Sequence, residues 1–157
     1  MDKQLKREIS QITQFLKDGM HKEALQALKA ANADHPNTEL VLGLLASQYA
    51  QLNMYDDAKN TYESLLAINS QNHLAHFQLG MLEYQSGKIE EAIAQWENVA
   101  SQKDDFVANY WIAQAYVKAD KNQQAKPYIS KSFEKVPGNH DLSEQIKNLY
   151  SLVQEVE

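Results

Sequence analysis

Residues 73–100 read HLAHFQLGMLEYQSGKIEEAIAQWENVA, and this stretch decides the fold. Two helix-length segments flank Gly87. The first carries Ala75, Leu79 and Leu82 at helical spacing, and the second carries Ala92 and Trp96, four residues apart. Gly87 suits the left-handed backbone that ends a helix. Gly80 lacks a side chain where the second helix, at Ala92, must come close.

The same phases recur outward in both directions. Glu23-Ala24, Asp57-Ala58, Glu91-Ala92 and Gln124-Ala125 follow one another at spacings of 34, 34 and 33 residues. Four residues beyond each alanine stands a large apolar side chain: Leu28, Tyr62, Trp96 or Ile129. Twelve before it come Ile12, Ala46, Gly80 and Ala113, and nine before it Phe15, Tyr49, Glu83 and Tyr116. Tight turns are predicted at Gly19, Asn53-Met54, Gly87 and Asp120-Lys121. Pro36 and Pro137 stop the second helix of the first and last units. Each unit is therefore two helices of about 14 residues that cannot bury their apolar faces alone and must stack on their neighbours. Residues 140–157 follow as a single amphipathic helix with Leu142, Ile146, Leu149 and Val153 on one face, capped by Asp141 or Asn139. Its acidic end, Glu155 and Glu157, opposes the helix dipole.

Composition narrows the function. The chain has 157 residues with 15 basic and 21 acidic side chains, a net charge of −6. A single arginine, Arg7, and no basic face argue against nucleic acid. The absence of cysteine excludes disulfides, thiol catalysis and cysteine-ligated metals. Five glycines and three prolines leave long helices uninterrupted. No stretch reaches the roughly 18 apolar residues of a membrane span, and the charged start, Met-Asp-Lys-Gln-Leu-Lys-Arg, is unlike a signal peptide. A full-length chain is expected in the cytoplasm; for an excised domain the periplasm is the alternative.

The pattern resembles the tetratricopeptide repeat (TPR) family over nearly the whole chain, most closely at Leu79-Gly80, Gly87, Glu91-Ala92 and Trp96. The resemblance implies an all-α fold: a right-handed α-α superhelix of four TPR-like helix pairs plus a C-terminal capping helix. As a single domain of residues 1–157, its repeats fall at about 5–38, 39–72, 73–105 and 106–139, with the cap at about 140–157. Repeat 1 departs from the family with Gln11 and Ile12. Repeat 4 is one residue out of step, which leaves the rotation of its first helix open. It also holds Pro127 inside its second helix, where a kink or a late start is expected.

No phosphate loop, dinucleotide fingerprint, metalloprotease pair or nucleophile elbow is present. No catalytic, metal or cofactor site is assigned, and the chain reads as a non-enzyme. His73 and His76 share a helix without a third ligand. His21 reads as a packing residue. The acidic pairs Asp56-Asp57, Glu90-Glu91 and Asp104-Asp105 fall at helix starts, where they complement the dipole. Lys118, Lys121, Lys126, Lys131 and Lys135 scatter around their helices and read as solvated surface.

A second apolar stripe on the helix at 72–86, Phe77, Met81 and Tyr84, runs nearly opposite the first. The family resemblance places such residues on the concave groove, with Tyr110, Trp111 and Gln114 from the next repeat and Leu40, Gly43 and Ser47 from the previous one. Stacking between repeats competes equally for Tyr84 and Trp111; Phe77 and Tyr110 are read as groove residues. The inward lysine, arginine and asparagine with which some relatives clamp a terminal carboxylate are lacking. The function that follows is a protein-interaction scaffold or adaptor holding an apolar or aromatic peptide or helix. The alternatives are a self-associating assembly protein, a homodimer through residues 140–157, and an adaptor segment of a larger, envelope-anchored protein.

Overall fold

The computed structural model describes residues 2–103 and 105–155; Asp104 and Glu157, named above, lie outside them. The described residues form nine helices and no strand: α1 (Lys3–Lys17), α2 (His21–Asp34), α3 (Glu39–Gln51), α4 (Tyr55–Ile68), α5 (His73–Gln85), α6 (Ile89–Lys103), α7 (Phe106–Lys118), α8 (Asn122–Lys135) and α9 (Ser143–Glu155). They divide into two compact units, Met1–Ala75 and His76–Glu157. In the first, α1 packs on α2, α2 on α3 and α3 on α4. In the second, α6 packs on α7, α7 on α8, and both α7 and α8 on α9.

One turn closes all four helix pairs. Gly19, Asn53, Gly87 and Asp120 adopt φ of 71°, 60°, 79° and 56°. Each left-handed residue turns the chain so that the next amide, at Met20, Met54, Lys88 or Lys121, bonds the carbonyl of Phe15, Tyr49, Glu83 or Tyr116 at 2.8 Å. The amide of the left-handed residue itself returns to Leu16, Ala50, Tyr84 or Val117. This is the Schellman arrangement, which satisfies carbonyls left open at a helix end. The carbonyl of the residue after the turn then accepts from Ala24, Ala58, Ala92 or Ala125 and opens the second helix. Glycine, asparagine and aspartate hold the four positions because a branched or bulky side chain is strained there.

The repeated alanines have no exposed surface: Ala24, Ala58, Ala92 and Ala125 are 0% accessible. In the first unit they share the core with Leu28, Val41, Leu45, Ala46, Tyr62 and Leu65. In the second, Trp96 packs with Ile112 and Ala115 of the following helix pair. Ile129 packs with Ile146, Leu149 and Val153 of α9. The apolar stripe of α9 is thus covered within its own chain, as a solenoid cap requires.

Three details refine the sequence reading. The turn residues and the alanines both shift by 33 positions between the third and fourth pairs, so α7 keeps the orientation of α5 and the missing residue falls in the connection before Phe106. Asp105 caps α7 there, accepting from Val107 N and Ala108 N at 2.8 and 3.2 Å. Second, α8 starts three residues before its alanine, as α2, α4 and α6 do, so Pro127 causes no late start. Its ring spares one amide bond near the exposed helix start, and the opening bond from Ala125 N to Lys121 O lengthens to 3.3 Å. Third, α9 begins at Ser143 rather than near residue 140. His140 organises the approach: its ring stands edge-on to Phe106 at 4.9 Å, its Nδ1 accepts from Leu142 N and its carbonyl accepts from Ser143 N. These bonds go to His140 where the sequence pointed to Asp141 or Asn139.

Two substitutions test this packing. A Cβ built on Gly80 comes 2.5 Å from Trp96 Nε1, so Gly80→Ala is expected to cost about 1–3 kcal/mol, read as a lower urea midpoint. Tyr62, 4% exposed, has its phenol pushed up to about 12 from 10.0 by burial. The unfolded chain therefore loses that proton first. The stability this contributes, about 3 kcal/mol, is complete below pH 10 and lost as pH rises through about 12. Tyr62→Phe is expected to flatten the alkaline decline in urea melts over that window.

Candidate functional site

The two stripes of α5 divide as their spacing implies. Ala75, Leu79 and Leu82 are buried. Phe77, Met81 and Tyr84 are half-buried and pack against the core around Trp96. Trp96, on α6, has no exposed surface and donates its indole N–H to the carbonyl of Phe77 at 3.1 Å. The absent side chain of Gly80 makes this approach available. The indole touches three further rings. Phe77 lies 6.3 Å from it, Tyr84 5.7 Å and Trp111, on α7, 5.9 Å between centroids. Tyr84 also meets Trp111 edge-on at 5.8 Å. Such pairs contribute about 0.5–1.5 kcal/mol each beyond area burial, so the half-exposed rings are held in place by a buried one.

Tyr110 and Trp111 take different places. Trp111 is half-buried. Tyr110 is 5% exposed and belongs to the core that α7 and α8 form with Ile146, Leu149 and Val153 of α9. The sequence reading places Tyr110 in the groove; in the fold it lies in the core under α9, a cover that the repeat pattern alone does not include. From behind, Tyr110 stands edge-on to Trp111 at 5.4 Å, and its hydroxyl accepts from Nε2 of half-buried Gln114 at 3.2 Å. Burial, and then the neighbouring Tyr110, raise the Tyr84 phenol above its ordinary value. Lys118, read from sequence as solvated surface, places its ammonium 4.4 Å from the Tyr84 ring centre, a cation–π contact. No sequence signal singles it out beyond its place seven residues after Trp111.

The remaining named positions belong to the first unit. Leu40 is 46% exposed and Ser47 is exposed. Gly43 has room for a side chain, with Leu65 Cδ1 3.6 Å from a built Cβ. His21 brings Nδ1 within 3.1 Å of Nε2 of buried Gln48, so its role is to satisfy a core amide. His76 Nδ1 lies 2.6 Å from Gln95 Oε1. Among the described residues, no group of three or more His, Asp or Glu is placed to hold a metal ion. Nor is any helix there long and apolar enough to cross a membrane.

Helix pairs closed by one repeated turn, each with a fully buried alanine at the same phase, define an all-α repeat protein of the solenoid class. Residues 44–108 match the family model described as tetratricopeptide repeat. That segment is similar to tetratricopeptide repeats, and the fold of the described residues is similar to that of TPR proteins. MamA from Desulfovibrio magneticus RS-1 superposes with a TM-score of 0.82 at 18% identity, over 99% of this chain and 96% of that one. A tetratricopeptide repeat protein from Parabacteroides merdae gives 0.85 at 17% identity, over 98% of this chain and 61% of that one. MamA MSR-1 gives 0.68 at 24% identity, over 76% and 70%. No curated protein sequence matches the chain.

The aromatic cluster separates a structural ring from a presented one. Trp96→Ala empties a fully buried position and is expected to cost about 3–5 kcal/mol. Trp111→Ala, at a half-buried position, is expected to cost about 1–2 kcal/mol. Guanidinium melts followed by far-UV circular dichroism check both values.

Proposed function

We propose that the chain is a non-enzymatic protein-interaction scaffold that holds an apolar or aromatic peptide segment or helix against the faces of α5 and α7. One observation carries this reading: Phe77, Met81, Tyr84 and Trp111 remain half-exposed while packed round an indole with no exposed surface. Large rings fixed in advance lose little conformational entropy on binding, and desolvated aromatic anchors dominate protein–protein affinity. Gln114 adds a polar contact at the rim, and Tyr110 supports Trp111 from the core side. Within the first unit, Leu40, Gly43 and Ser47 hold the corresponding repeat positions. The repeat division at about 5–38, 39–72, 73–105 and 106–139, with a cap to 157, is part of the same proposal. A few such anchors suit a micromolar complex, about −8 kcal/mol.

Affinity capture with the purified chain, followed by mass spectrometry, tests the reading against a Phe77→Ala/Trp111→Ala double variant. Capture of the same partners is expected to fall at least tenfold (about 1.4 kcal/mol) in the variant, with its helical circular dichroism retained. Unchanged capture would remove the aromatic face from the reading. Tyr110→Phe serves as a control, because it keeps the buried ring and is expected to leave capture within about twofold.

A further inference from the structure

The second unit also contains a polar cleft of about 460 Å³ between α6 and α8. Ala94 and Ser101, seven apart on α6, leave it open where longer side chains would close it. Glu97, Asn98 and Ser101 line one wall, Tyr128 and Lys131 of α8 the other, and Asn109 of α7 also lines it. The floor of the site is built: Asn109 is 2% exposed and is oriented by its Nδ2 donating to the Asp105 carbonyl at 3.0 Å. Tyr128 is fixed as well. Its ring lies 5.7 Å from Tyr116 and its hydroxyl donates to Glu97 Oε1 at 2.6 Å.

The charges in this cleft are unmatched. Half-buried Glu97 is bonded to a neutral hydroxyl, and among the described residues neither it nor Lys131 forms an ion pair. A carboxylate on one wall and an ammonium on the other, with carboxamides of Asn98 and Asn109 beside them, complement a ligand that carries both charges and a peptide group. Two extended residues span about 7 Å, and the volume lies within the roughly 300–1,000 Å³ range of small-molecule pockets.

We propose that this cleft binds a short zwitterionic peptide of the dipeptide class, its ammonium on Glu97 and its carboxylate on Lys131, at a site separate from the aromatic face. The cleft is open to solvent, so the affinity is set in the millimolar range, where ion pairs gain little from exposed partners.

The test is a titration of the ¹⁵N-labelled full chain with L-alanyl-L-alanine, followed by amide shifts, with N-acetyl-alanyl-alanine and alanyl-alaninamide as blocked probes. Saturable shifts confined to the cleft residues are expected for the free dipeptide, with each blocked form about threefold weaker. Lys131→Gln is expected to weaken binding about threefold with an unchanged melt. Glu97→Gln is expected to do the same; because that change also touches the Tyr128 bond, Tyr128→Phe tests whether the loss follows the carboxylate or the phenol. The proposal is overturned by an absence of cleft shifts at tens of millimolar, by equal binding of the blocked dipeptides, or by retained affinity in Lys131→Gln. It is also overturned if Tyr128→Phe abolishes binding as fully as Glu97→Gln.

Discussion

Four residues in left-handed backbone carry the architecture. At Gly19, Asn53, Gly87 and Asp120 the chain reverses, and the two amide bonds that follow fix where the second helix begins relative to the first. Because the residue after the turn also accepts the first bond of the next helix, the turn sets the depth of the alanine four residues on. It thereby sets which side chain, one turn later, reaches the following pair. A β-branched residue at any of the four would strain that reversal and shift the packing behind it. Helix propensity plays a smaller part, since α8 accommodates Pro127 within a helix that starts in the common register.

The tightest consequence lies at Gly80. Its missing Cβ admits Trp96 so deeply that the indole N–H bonds the backbone of α5 at Phe77. The ring thus belongs to the core and to the aromatic face at once. Phe77, Tyr84 and Trp111 all pack on it, so the proposed binding face and the stability of the fold share one residue here. That sharing is why Trp111 reports on recognition more cleanly than Trp96 does.

The repeat was legible because alanine, the turn residue and the bulky residue four places on answer to short-range geometry that recurs every 33 or 34 residues. Tyr110 was misplaced for a different reason. It occupies the same phase as Phe77, and the repeat pattern treats the two alike, yet α9 contributes Ile146, Leu149 and Val153 to the core around Tyr110 alone. Burial of a repeat position depends on what lies next along the stack, and only the last pair is followed by a cap. The start of α9 was similarly hidden, because Phe106 holds the His140 ring from 34 residues away in sequence. The polar cleft left no signature at all: Glu97, Asn109 and Lys131 sit on three helices with no shared spacing, and each alone reads as an ordinary solvated residue.

The aromatic face and the polar cleft draw on α7 without competing for it. Trp111 and Asn109 are two residues apart, about 200° around a helix at 3.6 residues per turn, so one side chain joins the rings of α5 while the other lines the space between α6 and α8. In the second unit, α5 and α7 present apolar rings while α6 and α8 enclose a charged cleft, so the two proposed ligands, of opposite chemistry, would meet opposite sides of α7. The net charge of −6 gives neither surface a long-range pull on an anion. On the proposed readings, recognition at both rests on short-range fit, which places the burden of specificity on the rigid rings at the first and on the unmatched Glu97 and Lys131 at the second.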